Sequence, residues 1–135
     1  MVRESVTVER GLRRLVERAE QERDVTLGEA GGYLIDRGLE VRRAGMEPSI
    51  EGPFGVSRPF SKVSLSGNGP KTEVSVVLAD GTVEQARDVF EERTDTENLR
   101  RAMRLGAISE YSQEFKVEGK AGVISRPFAD VGVGK

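Results

Sequence analysis

The sequence predicts an α+β chain, mainly helical, built from two tandem strand-helix-helix units at 1–67 and 68–135. Each unit is followed by a short loop or edge-strand tail. Three observations lead there. Ser57-Arg58-Pro59-Phe60 recurs as Ser125-Arg126-Pro127-Phe128, an offset of 68 in a chain of 135 residues. The same offset, applied without gaps, lays Val6 on Val74, Val8 on Val76, Thr26 on Thr94, Glu29 on Glu97, Gly38 on Gly106 and Val63 on Val131. Both halves also repeat one order of elements, and repetition at half the chain length marks a duplicated structural unit.

In the first unit, Glu4-Ser5-Val6-Thr7-Val8 alternates polar and apolar residues as a half-buried strand does. A helix follows over about 9–23, with Leu12, Leu15, Val16 and Ala19 on one stripe. Asp24-Val25-Thr26 interrupts it, and Thr26 with Glu29 has the spacing of a capping box. The second helix is expected over about 27–43, burying Ala30, Leu34 and Tyr33 or Ile35, with Gly45 and Pro48 ending it. Gly31 and Gly32 each weaken such a helix by about 1 kcal/mol relative to Ala, unless close packing needs them.

The second unit repeats the scheme. Thr72 to Leu78 reads as a strand, and Ala79-Asp80-Gly81 as a turn with Asp80 or Thr82 able to cap the next helix. That helix is expected over about 82–93, with Val83, Ala86, Val89 and Phe90 inward. Thr94 and Glu97 form a second capping box before a helix to about residue 115, carrying Leu99, Ala102, Met103, Leu105 and Tyr111. Residues 63–65 and 117–124 are expected as short edge strands. The run Ser64-Leu65-Ser66-Gly67-Asn68-Gly69-Pro70 is expected as the hinge between units.

Composition removes many chemistries. With no Cys and no His, zinc sites, thiol nucleophiles and Ser-His-Asp relays cannot be built. Carboxylates are plentiful but unpatterned: Glu91-Glu92 and Glu20, Glu22 and Asp24 sit among arginines as solvated ion pairs would. Asp80-Gly81 and Asp130-Val131-Gly132 lack the spacing of a calcium loop, and Gly67-Asn68-Gly69-Pro70-Lys71 lacks that of a phosphate loop. No cofactor and no metal are expected, and the chain is expected not to be an enzyme. No run is long and apolar enough to span a bilayer and no signal-like leader opens the chain, so a cytoplasmic location with no membrane partner is expected. Net charge is −2, from 21 basic and 23 acidic residues, which disfavours indiscriminate polyanion binding but not a local basic surface.

A strand followed by two helices of these lengths resembles the ribbon-helix-helix family, the MetJ and Arc class. The local match that carries the resemblance best is Arg93-Thr94-Asp95-Thr96-Glu97-Asn98-Leu99-Arg100-Arg101-Ala102-Met103, with Asp24-Val25-Thr26-Leu27-Gly28-Glu29-Ala30 a fainter counterpart. It covers about residues 2–44 and 71–115; the Ser-Arg-Pro-Phe segments lie outside it. The resemblance implies a sequence-specific, DNA-binding transcriptional regulator that inserts a two-stranded β-ribbon into the major groove.

Alternation along the strands supplies the candidate DNA-binding residues. With Val6 and Val8 inward, Arg3, Ser5 and Thr7 face out; in the second unit Lys71, Glu73 and Ser75 do so, with Val77 continuing the face. Arg grips guanine O6 and N7, and hydroxyls bond base edges, whereas Glu73 repels phosphates. Thr26, Thr94 and Thr96 are expected beside phosphates at the starts of the second helices, where Asp95 opposes that role. Double-stranded DNA is thus the expected partner. One strand and two helices cannot cover their own apolar stripe. The two units therefore pair within one chain as a pseudo-dimer, with Val6 and Val74 near the ribbon's centre, or each pairs with its copy in a homodimer. The difference in length and charge between the two ribbon strands favours the homodimer. The other functional class is a protein-interaction or assembly module made of the same duplicated unit and touching no nucleic acid. Net acidity and Glu73 speak for it. For the Ser-Arg-Pro-Phe segments, the expectation is that Pro-Phe pins each tail to the core while Arg58 and Arg126 stay in water.

Overall fold

The computed structural model describes residues 1–51, 55, 57–65 and 70–117, with side chains to 111. The fold is α+β and mostly helical. Its elements are β1 (Val2–Val8), α1 (Arg10–Arg23), α2 (Leu27–Arg43), β2 (Ser49–Glu51), β3 (Ser57–Pro59), a 3-10 turn (Phe60–Lys62), β4 (Thr72–Leu78), α3 (Thr82–Phe90) and α4 (Asp95–Val117).

Strands β1 and β4 form a two-stranded antiparallel sheet, with Val6 opposite Val74 and Ser5 opposite Ser75. Pairing thus occurs within one chain, the intramolecular alternative of the two expected from the sequence. A lone pair of strands is marginal in water. Here one face is closed by helices: Val6, Val8, Val74, Val76 and Leu78 are at most 2% exposed. They join one core with Leu12, Val16, Leu34, Ile35, Leu99, Met103 and Ile108, so both halves of the chain share a single apolar interior.

Helices α2 and α4 cross at the centre of that core, and glycines set how closely. A β-carbon on Gly38 would stand 1.7 Å from the carbonyl oxygen of Ala102, and one on Gly106 would stand 1.8 Å from that of Leu34. Gly31 and Gly32 have their reason too, against a strand rather than a helix. A β-carbon on Gly32 would meet the Val77 carbonyl oxygen at 2.0 Å, and one on Gly31 would meet Val76 Cγ1 at 2.5 Å. Helix α2 therefore rests directly on the backbone of β4, and its intrinsic helix penalty is offset by that contact.

The helix ends depart from expectation in places. Thr26 and Glu29 make the full capping box: the Thr26 hydroxyl accepts from the Glu29 N–H, and the Glu29 carboxylate accepts from the Thr26 N–H. Thr94 accepts from the Glu97 N–H at 3.2 Å, but the Glu97 carboxylate turns to Arg100 instead of closing a box. Neither Asp80 nor Thr82 caps α3; Gly81 holds that position, Thr82 is buried, and Asp80 accepts from the N-terminal amine at 2.6 Å. Helix α3 stops at Phe90 rather than near 93. Glu91 takes a left-handed conformation and the Glu92 N–H donates to Asn98 Oδ1, which ends the helical ladder.

The tail of the first half is built differently from expectation. Residues 63–65 are not a strand, because the Leu65 N–H donates to the Glu9 carboxylate instead of to a neighbouring strand. The small sheet there pairs β2 with β3, Ile50 opposite Arg58. Phe60 is 2% exposed and Arg58 is exposed, so Pro-Phe pins this tail while Arg58 reaches water. Residues 66–69 of the hinge expected at 64–70, residues 118–124 of the strand expected at 117–124 and the second Ser-Arg-Pro-Phe segment lie outside the described residues, and Val117 ends α4 instead of opening a strand.

Candidate nucleic-acid interface

The face of the β1–β4 ribbon away from the helices is the candidate site. Alternation puts Arg3, Ser5 and Thr7 of β1 there, with Glu73, Ser75 and Val77 of β4. Arg3, Ser5, Glu73 and Ser75 are exposed, and Thr7 and Val77 are half-buried. Lys71, just before β4, is exposed as well. Across the ribbon Arg3 stands opposite Val77, Ser5 opposite Ser75 and Thr7 opposite Glu73. Two cations and one carboxylate make this face net positive, on a chain whose net charge is −2.

Local bonds hold the ribbon in place on its platform. Thr96 donates to the Ser5 carbonyl at 3.0 Å, and Arg100 donates to the Thr7 carbonyl at 2.8 Å, tying α4 to β1. On the other side Gly28 lets the first turn of α2 approach β4, since a β-carbon there would lie 2.6 Å from the Ser75 carbonyl oxygen. It would also stand 3.7 Å from an Arg3 guanidinium nitrogen, so Arg3 extends over the start of α2. Ser5 donates to the Glu73 carboxylate at 2.9 Å, which occupies one of the carboxylate's acceptor positions.

The candidate residues therefore fall into two groups. Arg3, Ser5, Thr7, Ser75 and Lys71 share the outer face or its edge. Thr26, Thr94 and Thr96 are already engaged: Thr26 and Thr94 as helix caps, Thr96 as a tether on β1. Both helix starts also carry acid, Glu29 in the box of α2 and Asp95 bonded to Arg87 at 3.0 Å on α4. A carboxylate there satisfies the helix dipole itself and weakens the attraction for a phosphate.

Sequence reasoning missed a buried polar network that fixes the connecting segment. Glu9 is 2% exposed and binds Arg104 through both carboxylate oxygens, at 2.7 and 3.0 Å. Arg104 also donates to the Ser61 carbonyl at 2.8 Å. Arg101 donates to Ser61 Oγ at 2.9 Å and pairs with Glu92 at 2.8 Å, while Ser61 Oγ donates to Glu47, which also pairs with Arg42. Glu92 is thus part of this network and not a solvated surface charge. Burial alone pushes the Glu9 carboxyl up, but the bonds from Arg104 and the Leu65 N–H, with the guanidinium's charge, outweigh it and leave it below the usual glutamate range. The only sequence signal was arginine at 101 and 104 set among the inward apolar positions Leu99, Ala102, Met103 and Leu105.

Elsewhere, a shallow recess of about 300 Å³ is lined by Arg42, Glu47, Pro48, Ser49, Ser57, Arg58 and Pro59. It contains no ribbon residue, and Arg42 within it is already paired with Glu47. Among the described residues no group of acidic side chains is arranged to hold a metal ion, and no helix is long and apolar enough to cross a membrane. No protein-family model, curated protein or solved structure matches the chain.

Proposed function

We propose that this chain is a sequence-specific DNA-binding regulator of the ribbon-helix-helix type, acting in the cytoplasm through the β1–β4 ribbon. One observation carries the reading: a paired ribbon whose inner side chains are buried and whose outer face offers Arg3, Ser5, Thr7 and Ser75, flanked by Lys71. A two-stranded β-ribbon fits the major groove, where guanidinium and hydroxyl groups distinguish base pairs by their donors and acceptors. The ties from Thr96 and Arg100 to the β1 carbonyls, and the seat of α2 on β4, hold that face rigid; a preorganised reader loses less entropy on docking.

The experiment is retention on mixed-sequence duplex DNA over a salt series. Phosphate contacts require affinity to fall as salt rises, because bound counterions are released. Binding that is absent at low salt ends the reading.

Two observations favour a second reading, a protein-interaction module. Glu73 lies on the outer face, and both Glu29 and Asp95 place acid at the helix starts. On that reading a partner protein, not DNA, covers the ribbon. Replacing Glu73 with Gln separates the two: it strengthens DNA retention if phosphates approach this face, and leaves retention nil if they do not.

A further inference from the structure

We infer that the ribbon reads an asymmetric, non-palindromic duplex sequence with one chain per site. The inference rests on the proposed DNA-binding reading and deepens it. A ribbon formed by two copies of one strand presents the same groups at both ends, so the sequence it reads repeats under a two-fold rotation. Here one chain supplies both strands and their outward residues differ. The backbone keeps the symmetry: Val6 and Val74, equivalent under the 68-residue offset, sit opposite each other. Arg3 and Lys71 also correspond under that offset, and both are cations. Between them the chemistry diverges, because Ser5 corresponds to Glu73 and Thr7 to Ser75.

The two halves of the face therefore seek different bases. On one side Thr7 stands opposite Glu73, a hydroxyl beside a carboxylate that accepts and never donates. Such a carboxylate selects the cytosine N4 amino group and rejects guanine O6. On the other side Arg3 stands opposite Val77, a guanidinium for guanine O6 and N7 beside a methyl-bearing side chain for the thymine methyl. From residue 3 to residue 7 the strand advances about 13 Å at about 3.3 Å per residue, near the rise of four base pairs. Both ends thus fall within one short site, and because the two-fold-related outward positions carry different groups, Ser5 against Glu73 and Thr7 against Ser75, the face does not call for a sequence equal to its own reverse complement.

The test is selection of the full chain against a random-sequence duplex pool at fixed salt, followed by native mass spectrometry on the enriched duplex. A non-palindromic motif with one chain bound supports the inference. Arg3→Ala then relaxes base preference at one end alone, by roughly tenfold for a lost bidentate contact, and Glu73→Gln alters the opposite end alone. A palindromic core, two chains on one core, or variants that change both ends equally would overturn it while leaving DNA binding intact. A pool with no enrichment, and no salt-sensitive retention, overturns the DNA-binding reading and the inference together.

Discussion

Gly38 lies against the backbone of Ala102, with no room between them for a methyl group: a β-carbon on Gly38 would stand 1.7 Å from the Ala102 carbonyl oxygen. The contact is reciprocated. Gly106 and Leu34 are the residues 68 positions from Gly38 and Ala102, up and down the chain, and they meet in the same way. The crossing of α2 and α4 thus obeys the internal repeat on both sides.

An alanine at either crossing glycine is therefore destabilising, although alanine in an exposed helix gains about 1 kcal/mol over glycine. The obstruction is a carbonyl, not a flexible side chain, so the helices must separate. Gly38→Ala and Gly106→Ala are each expected to cost about 3 kcal/mol, the upper part of the overpacking range. Gly32→Ala, which would press on the Val77 carbonyl, is expected to act in the same direction. Urea unfolding of the three variants checks this; a midpoint at or above that of the parent chain for Gly38→Ala contradicts it.

The Glu9–Arg104 pair makes stability depend on acid in a defined direction. Glu9 is held below the usual glutamate range in the folded chain. Its contribution is therefore complete above the unfolded value of about 4.3 and is lost as pH falls through the lower folded value. Removing one partner leaves a buried charge alone, so Arg104→Met is expected to cost about 3–5 kcal/mol near neutrality. The double variant Glu9→Gln with Arg104→Met is expected to recover part of that loss and to flatten the acid dependence. Denaturation midpoints between pH 6 and pH 3 for the parent and both variants provide the measurement.

Tyr111 gives the opposite sign at high pH. Burial first, and then the hydrogen bond to Glu22, push its hydroxyl up to about 12, where an ordinary tyrosine ionises near 10. The neutral form is favoured by folding, so this contribution is full below about 10 and is lost as pH rises through about 12. Tyr33, bonded to Glu110 at 2.7 Å, is raised as well, chiefly by burial. With two tyrosines in the chain, absorbance titration is expected to show neither half ionised at pH 10 while the fold persists. In Tyr111→Phe the step near 12 disappears.

On the ribbon, Arg3 is exposed and Thr7 half-buried, both on the face away from the core. Arg3→Ala with Thr7→Ala is expected to abolish sequence-selective DNA binding and to leave the thermal midpoint within a degree or two, as exposed substitutions usually do. Parent-like selectivity in a fluorescence anisotropy titration would show that β1 does not read bases.

The strand-helix-helix order within each half, the inward valines of both strands, the α2 capping box and the buried Phe60 were all legible in the residues themselves. Each depends on local periodicity or on a side chain bonding its own neighbourhood, and such effects need only nearby sequence. The early stop of α3 and the missing strand at 63–65 were not legible, because partners far along the chain decide them. Asn98 takes the Glu92 N–H, and Glu9, 56 residues away, takes that of Leu65. The burial of Arg101 and Arg104 was not legible either, because it rests on Ser61 of the connecting segment and on Glu9, Glu47 and Glu92 as counter-charges.

Alternating and helical periods in the chain alone thus determined which residues could be strand, helix and inner face. Only the tertiary structure decided that β1 takes β4 of its own chain as partner, and that Gly31, Gly32, Gly38 and Gly106 serve close approach. Periodicity reports which side of an element avoids water, a property of one segment. Choice of mate and distance of approach depend on two backbones meeting, and they exist only once both are in place.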